Sequence, residues 1–509
     1  MTGSAVWWIK RDFRLHDNEA ILTALEKNDH VLPVFIFEPE IIAAADFSAM
    51  HLHAQLNALT DLRKRLQQMG AGLMIAQGEV VTVIKQLWEQ FSIQQIVSHE
   101  ETGNWISFQR DLRLRQFCVK QQIDWLEIPQ NGVIRRLSSR VARQAIIKER
   151  LFHKSCVAKP NHIPQSSQMQ RLASQSKLPA INDYFTAEDT QLMQFDNMQC
   201  VSESAAKQCL ASFLTQRAQG YSGGISSPNS AFRHGSRLST HIAWGTLSMR
   251  HVFAEVAKRY QQIPLDDTLS KKQQQQWRRS LNAFRSRLHW HCHFIQRLES
   301  APRMEFQALN RAYENVQYTN DSKLLLAWQQ GMTGFPLVDA CMRCLNAIGF
   351  LNFRMRAFVV SFAVFALHLD WRAIHPHLAR VFYDYEPGIH LSQLQMQAGI
   401  VGINTVRVYS PTKQLIEQDP NCVFIKQWLP ELRTFSSSDV QSYETIPLRG
   451  YPRPIVDFKM QSQWMKEQVF AIRKSQRGRE QSKITLEKHG SRKRIRKRVV
   501  EPNPQIELF

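Results

Sequence analysis

The chain lacks the features of several large protein classes. No uninterrupted apolar run approaches the roughly 20 residues that a membrane helix needs. The N-terminus, MTGSAVWWIKRDFR, does not have the shape of a secretory signal. The eight cysteines of the chain are scattered over 509 residues without the spacing of a disulfide framework. We therefore expect a cytoplasmic protein that binds no membrane and keeps its cysteines as reduced thiols.

Acidic residues are scarce relative to basic ones. The chain has 44 Asp and Glu against 64 Lys and Arg, a formal net charge of +20. Basic residues are densest in the run RKRIRKR at 492–498, and the rest of the chain remains basic without it. Phosphate neutralisation supplies most non-specific nucleic-acid affinity, so the charge favours a polyanionic partner such as DNA. For the basic run itself, the alternative is a solvated tail without a partner.

Residues 1–130 alternate apolar, strand-like runs with amphipathic helical ones. The runs AVWWIK, VLPVFIF, GLMIAQG and QQIVSHE are typical of buried parallel strands, with helices expected at 49–69 and 80–91. This βαβ rhythm predicts a doubly wound parallel sheet. The pattern GxGxxG is missing after the first strand, which gives little support to an ordinary dinucleotide-binding fold.

Changes in composition divide the rest of the chain. Residues 131–200 include a stretch rich in Ser, Gln, Lys and Pro, which predicts an interdomain linker. From 201 to 475 helical periodicity dominates, and one helix is expected to begin at Pro336, a favoured first-turn residue. Residues 476–509 are expected to form a basic, disordered tail. The predicted architecture is therefore an α/β domain followed by an all-α domain.

Charged residues of both signs stand together in an apolar region of the C-terminal half. Arg354 and Arg356 precede Asp384 and Glu386 among aromatic and aliphatic residues. Burying such charges is costly unless they pair with one another or with a charged ligand. Arg suits such a pair because it stays charged and holds a carboxylate in two places.

Several spaced motifs resemble the photolyase/cryptochrome family over most of the chain. They are the opening WWIKRDFRLHDNEAILTAL, HGSRLSTHIAWGTLS (234–248), the helix at 277–299, and the region from GMTGFPLVDACMRC to HLARVFYDYEPGIHLSQLQ. Members of that family hold FAD in a helical domain and use blue light to drive electron transfer. The resemblance implies an antenna domain over 1–130, with a chromophore of unknown identity near HEETGNWISFQRD (99–111), and an FAD-binding domain over 201–475.

The resemblance also implies which residues hold the flavin. GSRLS (235–239) matches the family's Thr/Ser-Arg-Leu-Ser element, whose N–H groups and hydroxyls at a helix start suit a diphosphate. Alone, such a segment is usually a plain helix cap. Asp384 matches an acid that pairs with an Arg beside the flavin, and His390 faces the reactive flavin nitrogen as a proton donor or as a packed neutral His. The implied cofactor-binding residues are Tyr221, Gly235, Ser236, Arg237, Leu238, Ser239, Arg287, Phe350, Phe353, Arg354, Arg356, Asp384, Tyr385, Glu386 and His390.

Electron supply to the flavin is where the chain departs from many relatives. Trp371 matches the middle member of their three-tryptophan relay, Tyr318 stands at the outer position and Leu394 at the inner one. A Leu cannot be oxidised as a Trp can. Another aromatic residue would have to substitute, and the candidates are Tyr383, Tyr385 and Trp290. The predicted catalytic residues are Trp371, Tyr318 and His390.

Two His and Cys motifs do not favour a metal site. His289 and His293 share one helix face, but two ligands do not make a structural zinc site. Cys341 and Cys344 form a CxxC on a helix without a second pair, although some relatives carry an iron–sulfur cluster held by four Cys. We predict packed histidines, buried thiols and no metal.

For function, the resemblance and the basic charge favour a blue-light-driven DNA repair lyase. In the family, excited reduced FAD donates an electron to a pyrimidine dimer flipped into the pocket, because the flavin cannot reach a stacked base. The Trp and Glu that touch the lesion in repairing relatives have no clear match around Arg287, and Phe353 and Met396 stand where relatives tend to have polar or aromatic contacts. A cryptochrome-like receptor without repair activity is therefore the alternative. We expect a monomer that binds UV-damaged DNA, single- or double-stranded, with either a cyclobutane dimer or a (6-4) photoproduct as the lesion.

Overall fold

The N-terminal domain is built on a parallel sheet. The computed structural model describes residues 3–137 and 140–490. Five strands lie in the order β3-β2-β1-β4-β5, and every neighbouring pair is parallel. The order reverses beside β1, so the carboxyl ends of β1 and β4 flank the crevice in which such sheets bind ligands. The strands are β1 Ser4–Ile9, β2 His30–Phe37, β3 Met74–Gln77, β4 Gln95–His99 and β5 Asp124–Ile128.

Strand β1 is buried on both faces because the side chains of a strand alternate. Ala5, Trp7 and Ile9 belong to one core cluster, and Val6 and Trp8 belong to another. Helices cover both faces, which confirms the doubly wound α/β class. Strand β5 adds to the four predicted strands. The helices of this part are α1 Glu19–Lys27, α2 Pro39–Ile42, α3 Ala49–Gln67, α4 Val80–Phe91 and α5 Trp105–Gln121.

The stretch predicted as a linker packs on the sheet domain. Met169 and Ala173, on the helix Ser167–Gln175, are buried in the core of that domain. The side chain of Gln165 bonds the backbone of Gly72 in both directions, at 2.7 and 2.9 Å. These contacts make the stretch an ordered cover of the sheet, although its composition is typical of a linker. Its helices are α6 Arg140–Lys148, α7 Ser167–Gln175 and α8 Ala187–Thr190.

The C-terminal part is helical, as predicted, and α16 begins at Pro336. Its helices are α9 Glu203–Ser212, α10 Tyr221–Gly224, α11 Pro228–His234, α12 Ser239–Ala243, α13 Met249–Gln262, α14 Lys271–Ser300, α15 Ser322–Gln330, α16 Pro336–Ile348, α17 Phe353–Phe365, α18 Trp371–Val381, α19 Pro387–Gln397, α20 Pro411–Gln418, α21 Val423–Trp428, α22 Ser437–Gln441, α23 Phe458–Lys474 and α24 Gln476–His489. Short 3-10 or π turns lie at Glu149–His153, Ile181–Asp183, Phe195–Asn197, Phe213–Arg217, Ala218–Gly220, Ile263–Leu265, Pro302–Glu305, Arg311–Asn315 and Pro430–Leu432.

Helix α17 lies at the centre of the helical domain. From Ala357 to Phe365 every residue is buried, so the helix is surrounded by other elements on all sides. Within residues 3–137 and 140–490, no single helix has both the length and the apolar character of a membrane span. Only the bent pair of α16 and α17 meets both criteria, by length and composition alone.

The disorder predicted from residue 476 onward is wrong for its first part. Residues 476–489 form α24, which begins after Ser475, whose hydroxyl accepts the Gly478 N–H at 3.0 Å. Ser482 accepts a hydrogen bond from the buried Asn310 at 3.1 Å, and Thr485 is buried. Small and polar residues therefore hold the helix in place without the apolar stripe that would have predicted it. The basic run at 492–498 lies outside the described residues.

Candidate functional site

A buried ion pair joins α17 to the turn between α18 and α19. Arg356 donates from Nη1 to Asp384 Oδ1 at 2.9 Å and from Nη2 to Oδ2 at 2.8 Å. Its Nε donates to the Leu351 carbonyl at 2.7 Å. The Asp384 side chain is 3% exposed and that of Arg356 is 27% exposed. The structure thus forms the Arg–Asp pair that the sequence predicted, with the guanidinium held in one orientation by three hydrogen bonds.

Phe350 connects this pair to the segment at 235–239. The Arg356 guanidinium lies 5.7 Å from the Phe350 ring centroid, and that of Arg237 lies 4.5 Å from the same ring. Within the described residues Arg237 forms no ion pair, and its buried Nε has no hydrogen-bond partner. Two segments more than 100 residues apart in the sequence therefore place their guanidinium groups at the same ring, that of Phe350.

The other residues of GSRLS play structural parts. The carbonyl of Ser236 accepts from Arg217 at 3.2 Å, and that of Gly235 also accepts from Arg217. Leu238 is buried in the core. Ser239 is exposed at the start of α12, but this helix has only five residues, too few to add much of a dipole. Arg237 is the member of the motif that offers an unpaired charge.

Two histidines, one on α18 and one on α19, lie against each other near the Arg356–Asp384 pair. The rings of His375 and His390 are 5.0 Å apart, and Nδ1 of His375 and Nε2 of His390 are buried without a partner among the described residues. Burial lowers the pKa of His390 well below its usual value, with smaller contributions from His375 and Arg356. The His390 imidazole is therefore neutral near pH 7.

Residues at the surface end of α17 form an aromatic and cationic mouth. The ring of Phe353 is 50% exposed, and the Arg287 guanidinium lies 5.7 Å from its centroid. Phe353 is three residues, or about one helical turn, from Arg356. Arg354, beside it, has a buried Nε without a partner. Behind the mouth, Tyr221 packs against Phe213 and Phe284.

Tyr385 and Glu386 point towards the N-terminal domain instead. Glu386 lies 3.8 Å from Nη1 of Arg11, and burial raises its pKa to about 7. The Tyr385 hydroxyl donates to Asp46 at 2.8 Å, and its backbone carbonyl accepts from Arg11. The Tyr385 ring itself lies 5.3 Å from that of His390, and the flavin contact predicted for these two residues stays a prediction. Arg11 and Asp46 were not among the predicted site residues. Only the rule that ligands bind at the carboxyl ends of strands could have marked Arg11, which follows β1.

A second cleft opens at that edge of the sheet. Arg110 is surrounded by carboxylates, with Glu38 at 2.9 Å and Asp111 at 2.8 Å. Burial raises the pKa of Glu38 to about 7, against the opposing effect of Arg110. Glu101, Asn104 and Arg110 line this cleft and belong to the segment predicted to contact an antenna. The cleft is also lined by Arg11, Asp46, Trp244 and Tyr385.

The His and Cys motifs lie in packed surroundings. The ring of His289 is 5.1 Å from that of Phe253, and that of His293 is 6.0 Å from that of Trp290. Cys341 and Cys344 are buried in α16, and burial raises the pKa of both thiols. In the part of the chain that the structure describes, no group of three or more His, Cys, Asp or Glu is arranged to hold a metal ion.

Comparison with known proteins decides what this architecture is. Residues 5–169 match the family model "DNA photolyase", and residues 284–471 match "FAD binding domain of DNA photolyase". Together the two matches take in more than half of the chain. The chain belongs to the photolyase/cryptochrome family. Its helical part is accordingly an FAD-binding domain.

Relatives within the photolyase/cryptochrome family carry two kinds of name. A deoxyribodipyrimidine photo-lyase of Synechococcus sp. is 25% identical, covering 92% of this chain and 96% of that protein. A cryptochrome DASH of Oryza sativa is also 25% identical, covering 90% and 81%. A class III photolyase from Agrobacterium tumefaciens superposes with a TM-score of 0.78 at 21% identity, covering 93% and 98%. The function is thus photolyase-like or cryptochrome-like.

The residues present suit FAD. A diphosphate needs cationic partners, and Arg237 and Arg354 form no ion pair within the described residues. A flavin ring offers donors and acceptors, and the partnerless buried atoms of Asn352 and His390 can meet them. The Arg356–Asp384 pair compensates its own charge, so it can lie beside a neutral ring system without a counterion.

The relay positions of the photolyase/cryptochrome family are partly altered here. Trp371 and Leu394 are buried, at 1% and 2% exposure. The segments that carry Tyr318 and Trp371 are neighbours, because the N–H of Asp370 bonds the side chain of Asn320 at 2.7 Å. The hydroxyl of Tyr318 has no partner among the described residues. That Trp371, Tyr318 and His390 take part in catalysis stays a prediction.

Proposed function

We propose that the protein is a blue-light-driven DNA repair lyase that acts on UV-induced pyrimidine dimers. The observation that carries the proposal is the mouth formed by Phe353, Arg287 and Arg354, one helical turn from the buried Arg356–Asp384 pair. An exposed aromatic ring and two cations at the entrance of a cofactor pocket suit a nucleobase with its phosphates. The names of relatives such as deoxyribodipyrimidine photo-lyase support the same substrate.

The pocket residues would divide the work of holding FAD. Arg237 and Arg354 would bind the diphosphate, and Arg356–Asp384 would lie beside the flavin ring with His390. FAD, when bound, supplies light absorption and one-electron chemistry. The Arg356 guanidinium provides a fixed positive charge near the ring, since three hydrogen bonds prevent its reorientation. The neutral His390 can exchange one hydrogen bond with a ring nitrogen without adding charge.

The mouth would receive a base that has left the DNA stack. A lesion inside a duplex cannot reach a buried pocket, so it must be flipped out, and damaged bases are the cheapest to flip. Stacking on Phe353 would contribute about 1–3 kcal/mol per base. Arg287 is held over this ring, where it can reach a phosphate or a carbonyl of the lesion. The net charge of +20 supplies non-specific affinity for the DNA backbone.

We also propose that the cleft around Arg110 binds an antenna chromophore of unknown identity. It lies at the crevice of the sheet and combines aromatic walls with buried charges, the usual composition of a small-molecule site. A cytoplasmic location and a monomeric state remain predictions.

One observation favours a second candidate, a cryptochrome-like receptor without repair activity. Leu394 occupies the inner relay position, so the family's usual route of photoreduction is interrupted. A receptor would use light-dependent changes at the flavin for a conformational output. The cryptochrome DASH relatives make this the natural rival.

A repair assay with chemically reduced protein tests the proposal independently of photoreduction. Purified protein with bound FAD is reduced with dithionite and illuminated with blue light on oligonucleotides carrying either a cyclobutane dimer or a (6-4) photoproduct, with dark controls. We expect light-dependent loss of one lesion. Loss of neither lesion, with reduced FAD present, would refute repair and favour the receptor.

The variant Arg287→Ala tests the mouth, with Arg279→Ala as a matched control on the same helix. Arg279 is exposed and lies eight residues, about two helical turns, before Arg287. We expect Arg287→Ala to weaken binding of lesion-bearing DNA much more than Arg279→Ala does. Equal effects of the two variants would show that Arg287 adds only general charge.

A further inference from the structure

The interrupted relay raises the question of which aromatic residue can donate an electron to the pocket. The structure separates the three candidates. The Tyr383 hydroxyl bonds Nδ1 of His53 at 3.0 Å, on the side of the N-terminal domain. The ring of Trp290 packs against His293 and Phe294 of its own helix. The ring of Tyr385 lies edge-on to His390, with centroids 5.3 Å apart.

Tyr385 has a proton acceptor in place. Its hydroxyl donates to Oδ2 of Asp46 at 2.8 Å, and the same oxygen accepts from Asn104 at 2.9 Å. Tyr385 is buried, whereas Asp46 is partly exposed and lines the open cleft at the sheet edge. A proton received by this carboxylate can therefore reach water without crossing the flavin pocket.

The ring of His51 connects Tyr385 to a second oxidisable ring, that of Trp244. His51 stacks on Tyr385 with centroids 5.7 Å apart and an interplanar angle of 14°. The His51 ring also contacts Trp244, with centroids 5.8 Å apart. Burial lowers the pKa of His51 to about 4, so this bridging ring is neutral near pH 7. The sequence of rings runs from the cleft to the pocket as Trp244, His51, Tyr385 and His390.

We propose that Tyr385 is a redox-active tyrosine that supplies an electron to the photoexcited flavin, with Asp46 as the acceptor of its phenolic proton. The inference rests on the light-driven flavin chemistry proposed above, but not on DNA repair. It makes Tyr385 the electron donor, a role that Leu394 cannot take because its side chain cannot be oxidised. It makes Asp46 the general base that accepts the phenolic proton.

The step balances in electrons and protons. Tyr385 loses one electron to the flavin, which is the one-electron oxidant. The phenolic O–H bond breaks, and the proton moves along the hydrogen bond to Asp46, which leaves a neutral tyrosyl radical. An external thiol supplies one electron and Asp46 returns the proton, which restores Tyr385. Trp244 can pass that electron inward from the cleft.

The surroundings require that electron and proton leave together. Burial raises the pKa of the Tyr385 phenol well above its usual value, as do the carboxylates of Asp46 and Glu305, against the opposing effect of Arg11. The hydroxyl is therefore protonated before oxidation. A bare phenol cation in this buried place would be costly, which makes the acceptor at 2.8 Å necessary.

Electron paramagnetic resonance of the radical tests the proposal without measuring repair. FAD-loaded full-length protein with ring-deuterated tyrosine is illuminated with blue light and compared with unlabelled protein. We expect a tyrosyl signal that narrows on deuteration and forms more slowly in D2O. Tyr385→Phe should lose the signal. Asp46→Asn keeps an oxygen that accepts the hydrogen bond but takes no proton, so formation should slow by about 100-fold, the low end of what a positioned base contributes.

Tyr383→Phe is the matched control, because it removes one hydroxyl from the neighbouring tyrosine that faces away from the pocket. It should behave like the wild type. Flavin content and thermal unfolding, measured for every variant, separate a loss of the radical from a loss of folding. A wild type without a tyrosyl radical, or a full signal in Tyr385→Phe that disappears in Trp371→Phe, would overturn the proposal. Failure of lesion repair in chemically reduced protein would refute only the repair function.

Discussion

Replacing Asp384 with Asn tests the pocket most directly. The change keeps the size of the side chain but removes its charge and one of the two oxygens that accept from Arg356. The new amide N–H₂ would face a guanidinium N–H, and the cation would lose its counterion. Because Asp384 is 3% exposed, water cannot replace what is lost on that side.

The expected size of the effect follows from the burial of the two partners. Breaking a fully buried pair by removing one partner costs about 3–5 kcal/mol. Arg356 is 27% exposed and keeps its bond to the Leu351 carbonyl, so part of its charge stays solvated. We therefore expect a loss of about 2–3 kcal/mol, the worth of one charge-assisted hydrogen bond. If the FAD-bound protein is destabilised by this amount and the apoprotein is not, the affinity for FAD decreases by about 30- to 150-fold.

The assay is a titration of FAD into the apoprotein, followed by flavin fluorescence, beside the flavin content of the purified variant. Glu89→Gln is the control, since it neutralises the acid of an exposed pair with Lys85 at 3.8 Å. That change should cost less than about 0.5 kcal/mol and leave flavin binding unaltered. An Asp384→Asn protein with full flavin content and unchanged affinity would show that this pair does not line the cofactor pocket.

Three further changes test other parts of the structure. Phe353→Ala should weaken binding of lesion-bearing single strands by about 1–3 kcal/mol, measured by fluorescence anisotropy, while undamaged duplex binding stays the same; equal losses on both would contradict a stacking role. The raised pKa of Glu386, about 7, means that the folded protein keeps a proton there that the unfolded chain loses above about 4.5. The stabilisation by this bound proton is complete below about pH 4.5 and is lost as the pH rises through 7. Glu386→Gln should therefore remove about 2.5 kcal/mol of the fall in unfolding free energy between pH 5 and pH 8, measured by urea unfolding; parallel pH curves would refute this. Ser482→Ala should cost about 1 kcal/mol, because it leaves the buried Asn310 without that acceptor, and an unchanged unfolding curve would mean that α24 is not docked.

Local patterns were sufficient to predict the architecture. The runs around Trp7 and Phe35 predicted buried strands. A strand covered on both faces is a nearly continuous apolar run, which can be recognised from the local sequence alone. Pro336 marked the start of α16 for the same local reason. The stretch around Met169 and helix α24 escaped prediction because their few buried contacts are set by distant residues such as Gly72 and Asn310. Composition alone does not distinguish such docked segments from linkers and tails.

In the candidate site, too, the sequence predicted some features and not others. Charges in an apolar region predicted that Arg354, Arg356, Asp384 and Glu386 pair with one another or with a charged ligand, and the family resemblance implied Asp384 as the partner of an Arg. The directions of Tyr385 and Glu386 did not follow, because neighbouring residues in a turn point to different sides, and no local rule states which.

The turn at 384–386 therefore serves two surfaces at once. Asp384 pairs with Arg356 of the helical domain, while Tyr385 and Glu386 contact Asp46 and Arg11 of the N-terminal domain. One short segment thus connects the proposed cofactor site with the cleft at the sheet edge. At this junction stands a tyrosine with a carboxylate partner, Tyr385 with Asp46. We infer that the junction between the domains, rather than the helical domain alone, sets how electrons reach the pocket.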